Sequence, residues 1–125
     1  MNRTSPCICR AFPGAPARAI NLADKRGTLI IRPDTAGVIS PGKCNEGVHP
    51  HKLFKEGNIG VISKSGALSY EVSKSISESG LGQSTVVGIG GGPMWGLTQI
   101  DILEMFEGDD ETEAIVLLGE IGGTK

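Results

Sequence analysis

Between Ile59 and Leu118, three short and almost continuously apolar runs alternate with two stretches of helical period, which constrains the fold more than any other feature. The runs are Ile59-Gly60-Val61-Ile62, Thr85-Val86-Val87-Gly88-Ile89 and Ala114-Ile115-Val116-Leu117-Leu118. Strands apolar at nearly every position are buried on both faces, as in a parallel sheet with right-handed crossovers and helices on either side. The predicted order is β-α-β-α-β, an α/β fold.

The first helical stretch has Leu68, Val72 and Ile76 every four residues, giving one apolar stripe, and stops at Gly80. The second starts with Thr98 as N-cap and Asp101 as its capping-box partner, and Ile100, Leu103, Met105 and Phe106 supply its apolar face.

In parallel sheets ligands sit outside the carboxyl ends of the strands. Here those ends carry Ser63–Ala67, Gly90–Pro93 and Gly119–Gly123, so all three special loops fall on one edge. At the first of them, a strand turning through Ser63-Lys64-Ser65-Gly66 into a helix leaves amide donors without intrahelical partners, at the positive end of the helix dipole. Ser63, Ser65, Gly66 and Ala67 are therefore candidate anion contacts, phosphate above all; the plainer role for Ser65 is an N-cap that binds nothing. Glu120, between an apolar strand and a glycine turn, is either a base or orienting carboxylate or a solvated edge residue. Met94 and Trp95 wall a pocket or pack in a core or interface.

Residues 1–27 lack either period, and Pro6, Pro13 and Pro16 interrupt any helix, so a divergent, poorly ordered N-terminus is expected. Its arginines resemble those of a transit peptide, but the prolines spoil the amphipathic helix such a peptide needs. Thr28–Ile31 is a strand candidate, and residues 28–58 as a whole read as an extended connecting segment rich in turns. The 12 Lys+Arg and 14 Asp+Glu of the 125 residues nearly balance, so no basic field points to nucleic acid. No apolar run approaches the ~20 residues of a membrane span. Cys7, Cys9 and Cys44 have no paired spacing, and a zinc site built from Cys44, His49, His51 and a distant cysteine matches no common pattern, so no metal is expected.

Ser63-Lys64-Ser65-Gly66-Ala67-Leu68-Ser69-Tyr70-Glu71, Gly80-Leu81-Gly82-Gln83-Ser84, Val87-Gly88-Ile89-Gly90-Gly91 and Leu118-Gly119-Glu120-Ile121-Gly122-Gly123 resemble, in order and spacing, the alpha subunit of succinate–CoA ligase. The similarity extends back through Thr35–Gly42 to about Leu29. It implies a flavodoxin-like fold, incomplete here, with residues 59–125 the N-terminal part of the alpha-subunit CoA-ligase domain. That enzyme interconverts succinate, coenzyme A and nucleoside triphosphate with succinyl-CoA, nucleoside diphosphate and phosphate through a phosphohistidine, in the tricarboxylic acid cycle.

By the same resemblance, the helix after Ser65 is the power helix whose N-terminus binds the phosphate, with Ser63, Ser65, Gly66 and Ala67 as its contacts. Tyr70 is a substrate-site residue, and Glu120 orients the phosphohistidine. The implied partners are a beta subunit, succinate and coenzyme A, with ATP or GTP and Mg2+ in the intact enzyme. The implied location is cytoplasmic, or the mitochondrial matrix in a eukaryote.

The sequence departs from the pattern in several places. No glycine fingerprint of a coenzyme A-binding domain follows an early strand, and neither His49 nor His51 matches the phosphorylated histidine. Arg32-Pro33-Asp34 replaces Gly-Pro-Asn, and Gly92 stands where Asp is usual. These departures imply an alpha subunit truncated at both ends, inactive alone and binding no cofactor tightly. A non-catalytic module that binds a beta subunit, and a fragment of a malate– or acetate–CoA ligase, are the alternatives.

Overall fold

The computed structural model describes residues 15–31, 35–91 and 96–121. Helix α1 (Ala15–Arg26) is followed by strands β1 (Gly37–Ser40) and β2 (Cys44–Gly47), a 3-10 turn His51–Leu53, β3 (Glu56–Ser63), α2 (Gly66–Glu78), β4 (Gln83–Gly88), α3 (Gln99–Glu107) and β5 (Ala114–Leu118). One five-stranded sheet runs β2-β1-β4-β3-β5. The β-α-β-α-β expectation holds from β3 onward, where β3 pairs parallel with both β4 and β5. With the first parallel strand in the middle, β4-β3-β5 is the 2-1-3 start of a flavodoxin-like sheet.

The sheet is mixed rather than purely parallel, because β1 pairs antiparallel with both β2 and β4. Residues 28–58 therefore do more than connect. Their Val38-Ile39 stretch presents alternate side chains to the two faces, and Ile39 enters the core. Thr28–Ile31 is not a strand, although the Ile30 carbonyl accepts a hydrogen bond from the Leu97 amide at 2.8 Å. The N-terminal expectation is also corrected from Ala15 onward. Pro16 lies in the first turn of α1, where a missing N–H removes no intrahelical bond, and the alanine-rich run that follows favours helix until Gly27, whose φ is +63°. Pro6 and Pro13, with Cys7 and Cys9, lie outside the described residues, as do Arg32–Asp34, Gly92–Trp95 and Gly122–Gly123.

Successive residues of β3 and β4 point to opposite faces, which divides the core in two. Ile62, Val87 and Ile89 meet Ile102 and Phe106 of α3 on one face. On the other, Val61, Val86, Ile39 and Phe54 meet Tyr70 and Ile76 of α2. Gly60 keeps α3 close, since a Cβ there would lie 3.0 Å from the Phe106 ring and from Thr112 Cγ2.

Each helix keeps part of the expected face, Leu103 and Phe106 in α3 and Ile76 in α2, and buries other residues beside it. In α3 the buried residues are Ile102 and Phe106, one turn apart, while Ile100 and Met105 are exposed. In α2 the buried residues are Ser69 and Ser73, and Leu68 is 51% exposed. Small serines let the helix backbone approach the sheet; Ser69 Oγ donates to Gly66 O at 2.7 Å and the half-buried Ser77 Oγ to Ser73 O at 2.9 Å, whereas Ser73 Oγ itself has no partner. Strand β5 is apolar but lies at the sheet edge, so Ile115 and Leu117 are exposed rather than buried on both faces.

Candidate functional site

The carboxyl ends of β4, β3 and β5 lie side by side in that order, so the three glycine-rich loops foreseen on one edge do converge. Two contacts join them. The Lys64 amide donates to the Leu118 carbonyl at 3.2 Å, tying the exit of β3 to the end of β5, and the Ile89 amide donates to the Ser63 carbonyl at 2.8 Å, tying it to β4. Glu120 reaches from the β5 side to the β4 loop. Its two carboxylate oxygens lie 3.0 Å from where a Cβ on Gly91 would be, so a side chain there would displace the carboxylate by a few tenths of an ångström.

In the middle of this edge the chain enters α2. Ser65 is its N-cap, with extended backbone, and its Oγ accepts a hydrogen bond from the Leu68 amide at 3.3 Å. Ser63 is buried, and its hydroxyl is spent inside the turn: Oγ donates to the Ser65 carbonyl at 2.6 Å and accepts from the Ser65 amide at 3.1 Å. Ser63 thus shapes the turn rather than pointing at solvent. The amides of Gly66 and Ala67, in the first turn, have no intrahelical acceptors, and both residues are exposed. Two backbone donors stand at the positive end of a 13-residue helix, on the strand-end edge that also carries the exposed Glu120.

Tyr70 points away from this edge into the α2 face of the core. Its ring meets Phe54 at 6.3 Å and His49 at 5.8 Å between centroids, both edge to face, and His49 meets Phe54 at 5.3 Å. His49 is only 3% exposed, and neither ring nitrogen has a hydrogen-bond partner. Burial pushes its pKa below the ordinary 6.5; the nearby Gly37 backbone works the other way without reaching hydrogen-bonding geometry. This aromatic cluster was not foreseen. The signal available was His49, Phe54 and Tyr70 as the ring-bearing residues around an otherwise turn-rich segment.

Among the described residues no group of three metal-ligating side chains comes together, and no helix is long and apolar enough to cross a membrane. Among the described residues, the donors exposed at the α2 N-terminus are the Gly66 and Ala67 amides, and Lys64 lies in the turn just before the Ser65 cap.

This strand-end geometry defines an α/β protein whose helix α2 starts where the crossovers from its first parallel strand diverge. The CoA-ligase family profile matches residues 62–125, and the chain belongs to that family of ligases. Among curated relatives it is 53% identical over 97 residues to the succinate–CoA ligase [ADP-forming] subunit alpha 1 of Archaeoglobus fulgidus, covering 78% of this chain and 33% of that one. It is 52% identical over 122 residues to the corresponding alpha subunit of Aquifex aeolicus, covering 95% and 40%. The chain thus spans about a third to two fifths of the length of these relatives. Among solved structures, the dinucleotide-forming acetyl-coenzyme A synthetase 1 of Ca. Korarchaeum cryptofilum, in complex with phosphate and ADP, superposes with a TM-score of 0.75 at 24% identity, covering 94% of this chain and 26% of that one. A protein of Pyrococcus horikoshii OT3 does so with a TM-score of 0.75 at 25% identity, covering 90% and 27%. The shared fold extends the likeness ahead of the profile match, through β1 and β2.

Proposed function

We propose that this chain supplies the phosphate-facing part of a succinate–CoA ligase alpha subunit, with residues 59–125 beginning its flavodoxin-like domain. The observation that carries the reading is the pair of uncommitted amides, Gly66 and Ala67, at the N-terminus of α2, framed by the loops after β4 and β5. Fixed dipoles of this kind stabilise a phosphoryl group without offering a nucleophile that would hydrolyse it. Ser65 shapes the helix entry as its cap, and Ser63 braces the turn behind it. Glu120, on the same edge, is placed to accept a hydrogen bond from an imidazole brought in by another segment. Tyr70, a substrate-site residue by resemblance, has its ring packed with His49 and Phe54 in the core, so its part in a substrate site is indirect, through the position of α2.

The phosphohistidine, coenzyme A, nucleotide and Mg2+ belong, in this reading, to the rest of the alpha chain and to a beta subunit, in the cytoplasm or the mitochondrial matrix. The isolated chain is therefore inactive. Titration with inorganic phosphate, followed by amide resonances, tests the site. Gly66 and Ala67 shift first, and A67D, which places a carboxylate where the anion would sit, abolishes the shift. Unmoved Gly66 and Ala67 resonances at millimolar phosphate overturn the proposal. Incubated with labelled nucleoside triphosphate and a beta subunit, the chain gains no acid-labile phosphate; stable label on His49 or His51 would contradict its assigned role.

A second reading rests on β5. Its outer edge is unpaired among the described strands and flanked by exposed Ile115, Leu117 and Ile121, which suits addition of a strand from another polypeptide. A non-catalytic module binding a beta subunit would use that edge, and mixing the chain with a beta subunit in sedimentation experiments tests it. A malate– or acetate–CoA ligase would share the phosphate site, and reconstitution with different acids separates these.

A further inference from the structure

His49 presents a contradiction that the phosphate site does not use. It sits in the connection between β2 and the 3-10 turn, 97% withdrawn from solvent, with neither Nδ1 nor Nε2 hydrogen-bonded. Its surroundings are two aromatic rings, Phe54 and Tyr70, each roughly perpendicular to it, and the Gly37 backbone. The Asn45 side chain does not help the ring: its Nδ2 donates to the His49 carbonyl at 2.9 Å and contacts His51 Nε2 at 3.1 Å, and its own Oδ1 is buried without a partner.

We propose that His49 is an acid-sensitive latch on α2: as a neutral imidazole it seats the Tyr70 ring, and a proton on it forces the ring out of the aromatic cluster and releases Tyr70. A cation buried here would need a carboxylate or a set of acceptors, and the elements packed around it offer no carboxylate and only the Gly37 backbone, which is not in hydrogen-bonding geometry. Strand β1 carries no titratable side chain. On β2 the titratable residues are Cys44 and Glu46; on the segment after it His51, Lys52 and Lys55; and on α2 Glu71, Lys74 and Glu78. All of these are exposed. Among the described residues Tyr70 alone of the titratable groups on these elements is in ring contact with His49. Contact with two aromatic rings falls well short of the hydration a buried charge gives up, so the charged ring leaves.

The sign follows from linkage. The unfolded chain takes up the proton as pH falls below the ordinary 6.5, while the folded chain resists it. Above that value His49 contributes no slope; below it the unfolding constant rises by up to about tenfold per pH unit until the folded pKa is reached. In the full 125-residue chain, the His49 Hε1 resonance is expected to titrate below the free imidazole range, and the Tyr70 ring resonances to move with the same midpoint. Urea midpoints should fall between about pH 6.5 and 5.5 for the wild type and stay flat for H49F, which keeps an aromatic ring without the charge. H49M serves if H49F does not fold, and the resonance titration needs no variant. A His49 that titrates as free imidazole, Tyr70 resonances indifferent to it, or an unchanged acid slope in the folded variant overturns the proposal.

The consequence that acid loosens a substrate site at Tyr70 rests on the function proposed above. The resonance experiment does not, since it uses neither phosphate nor substrate, so either idea can fail without the other.

Discussion

On the α3 face of the sheet, Ile62, Val87, Ile89, Ile102 and Phe106 form a wholly apolar cluster, whereas α2 lays Ser69 and Ser73 against its face and packs with Gln83, His49 and an aromatic pair. The first face is held by volume and area alone. The second depends on each polar group finding a partner, and Gln83 shows how this is done: its Oε1 accepts from the Lys55 amide at 3.0 Å while Nε2 donates to Ser73 O at 2.8 Å and Ser77 Oγ at 3.1 Å. One buried amide thus joins α2, β4 and the segment leading into β3. Ser73 Oγ and both His49 nitrogens remain without partners, so the polar face carries costs that the apolar one does not. The helix of the polar face is also the one whose N-terminus opens on the strand-end loops.

The contrast can be broken most forcefully on the apolar side. F106A empties a buried ring site against Gly60 and should cost about 3–5 kcal/mol, read as a lower urea midpoint with an unchanged m-value. On the polar side, Q83A leaves the Lys55 amide and the Ser73 carbonyl unpartnered, a loss of about 1–3 kcal/mol. Near-neutral denaturation of Q83A would mean that the amide is not what holds α2 down.

The two helix starts sharpen the comparison at lower energy. Thr98 closes a full capping box with Asp101, whereas Ser65 caps α2 through one long bond. Both T98A and S65A should therefore cost about 1 kcal/mol, with T98A the larger; equal midpoints would show that the second bond adds nothing. The smallest effect is a pH one. Hydrogen bonds from the Thr98 hydroxyl and amide hold the Asp101 carboxyl below its ordinary 3.8. Stability from this contact is fully present above 3.8 and is lost as pH falls through the lower folded value, a decline that acid denaturation of T98A should show weakened.

Both caps, the end of α2 at Gly80, the parallel strands and their shared edge were legible in the residues. Ser65, Thr98-Asp101 and Gly80, whose φ is +86°, act within one turn of chain and so leave a local mark. The buried face of α2 was not legible. A stripe at Leu68, Val72 and Ile76 is a sound hydrophobic period, but close helix–sheet approach favoured the serines one position further on, and Leu68 was turned outward. The candidate phosphate residues were readable as a group, yet the commitment of the Ser63 hydroxyl to Ser65 depends on turn geometry that composition does not encode.

By itself the sequence determined the alternation of strands and helices and the place of the glycine-rich turns, because period, capping and glycine conformation are local properties of the backbone. Only the tertiary structure decided that β1 and β2 extend the sheet antiparallel, that β5 lies at its edge, and that His49 is enclosed between Phe54 and Tyr70. Those outcomes depend on which surfaces meet across many residues of chain, and a buried imidazole and an exposed one are spelled with the same letter.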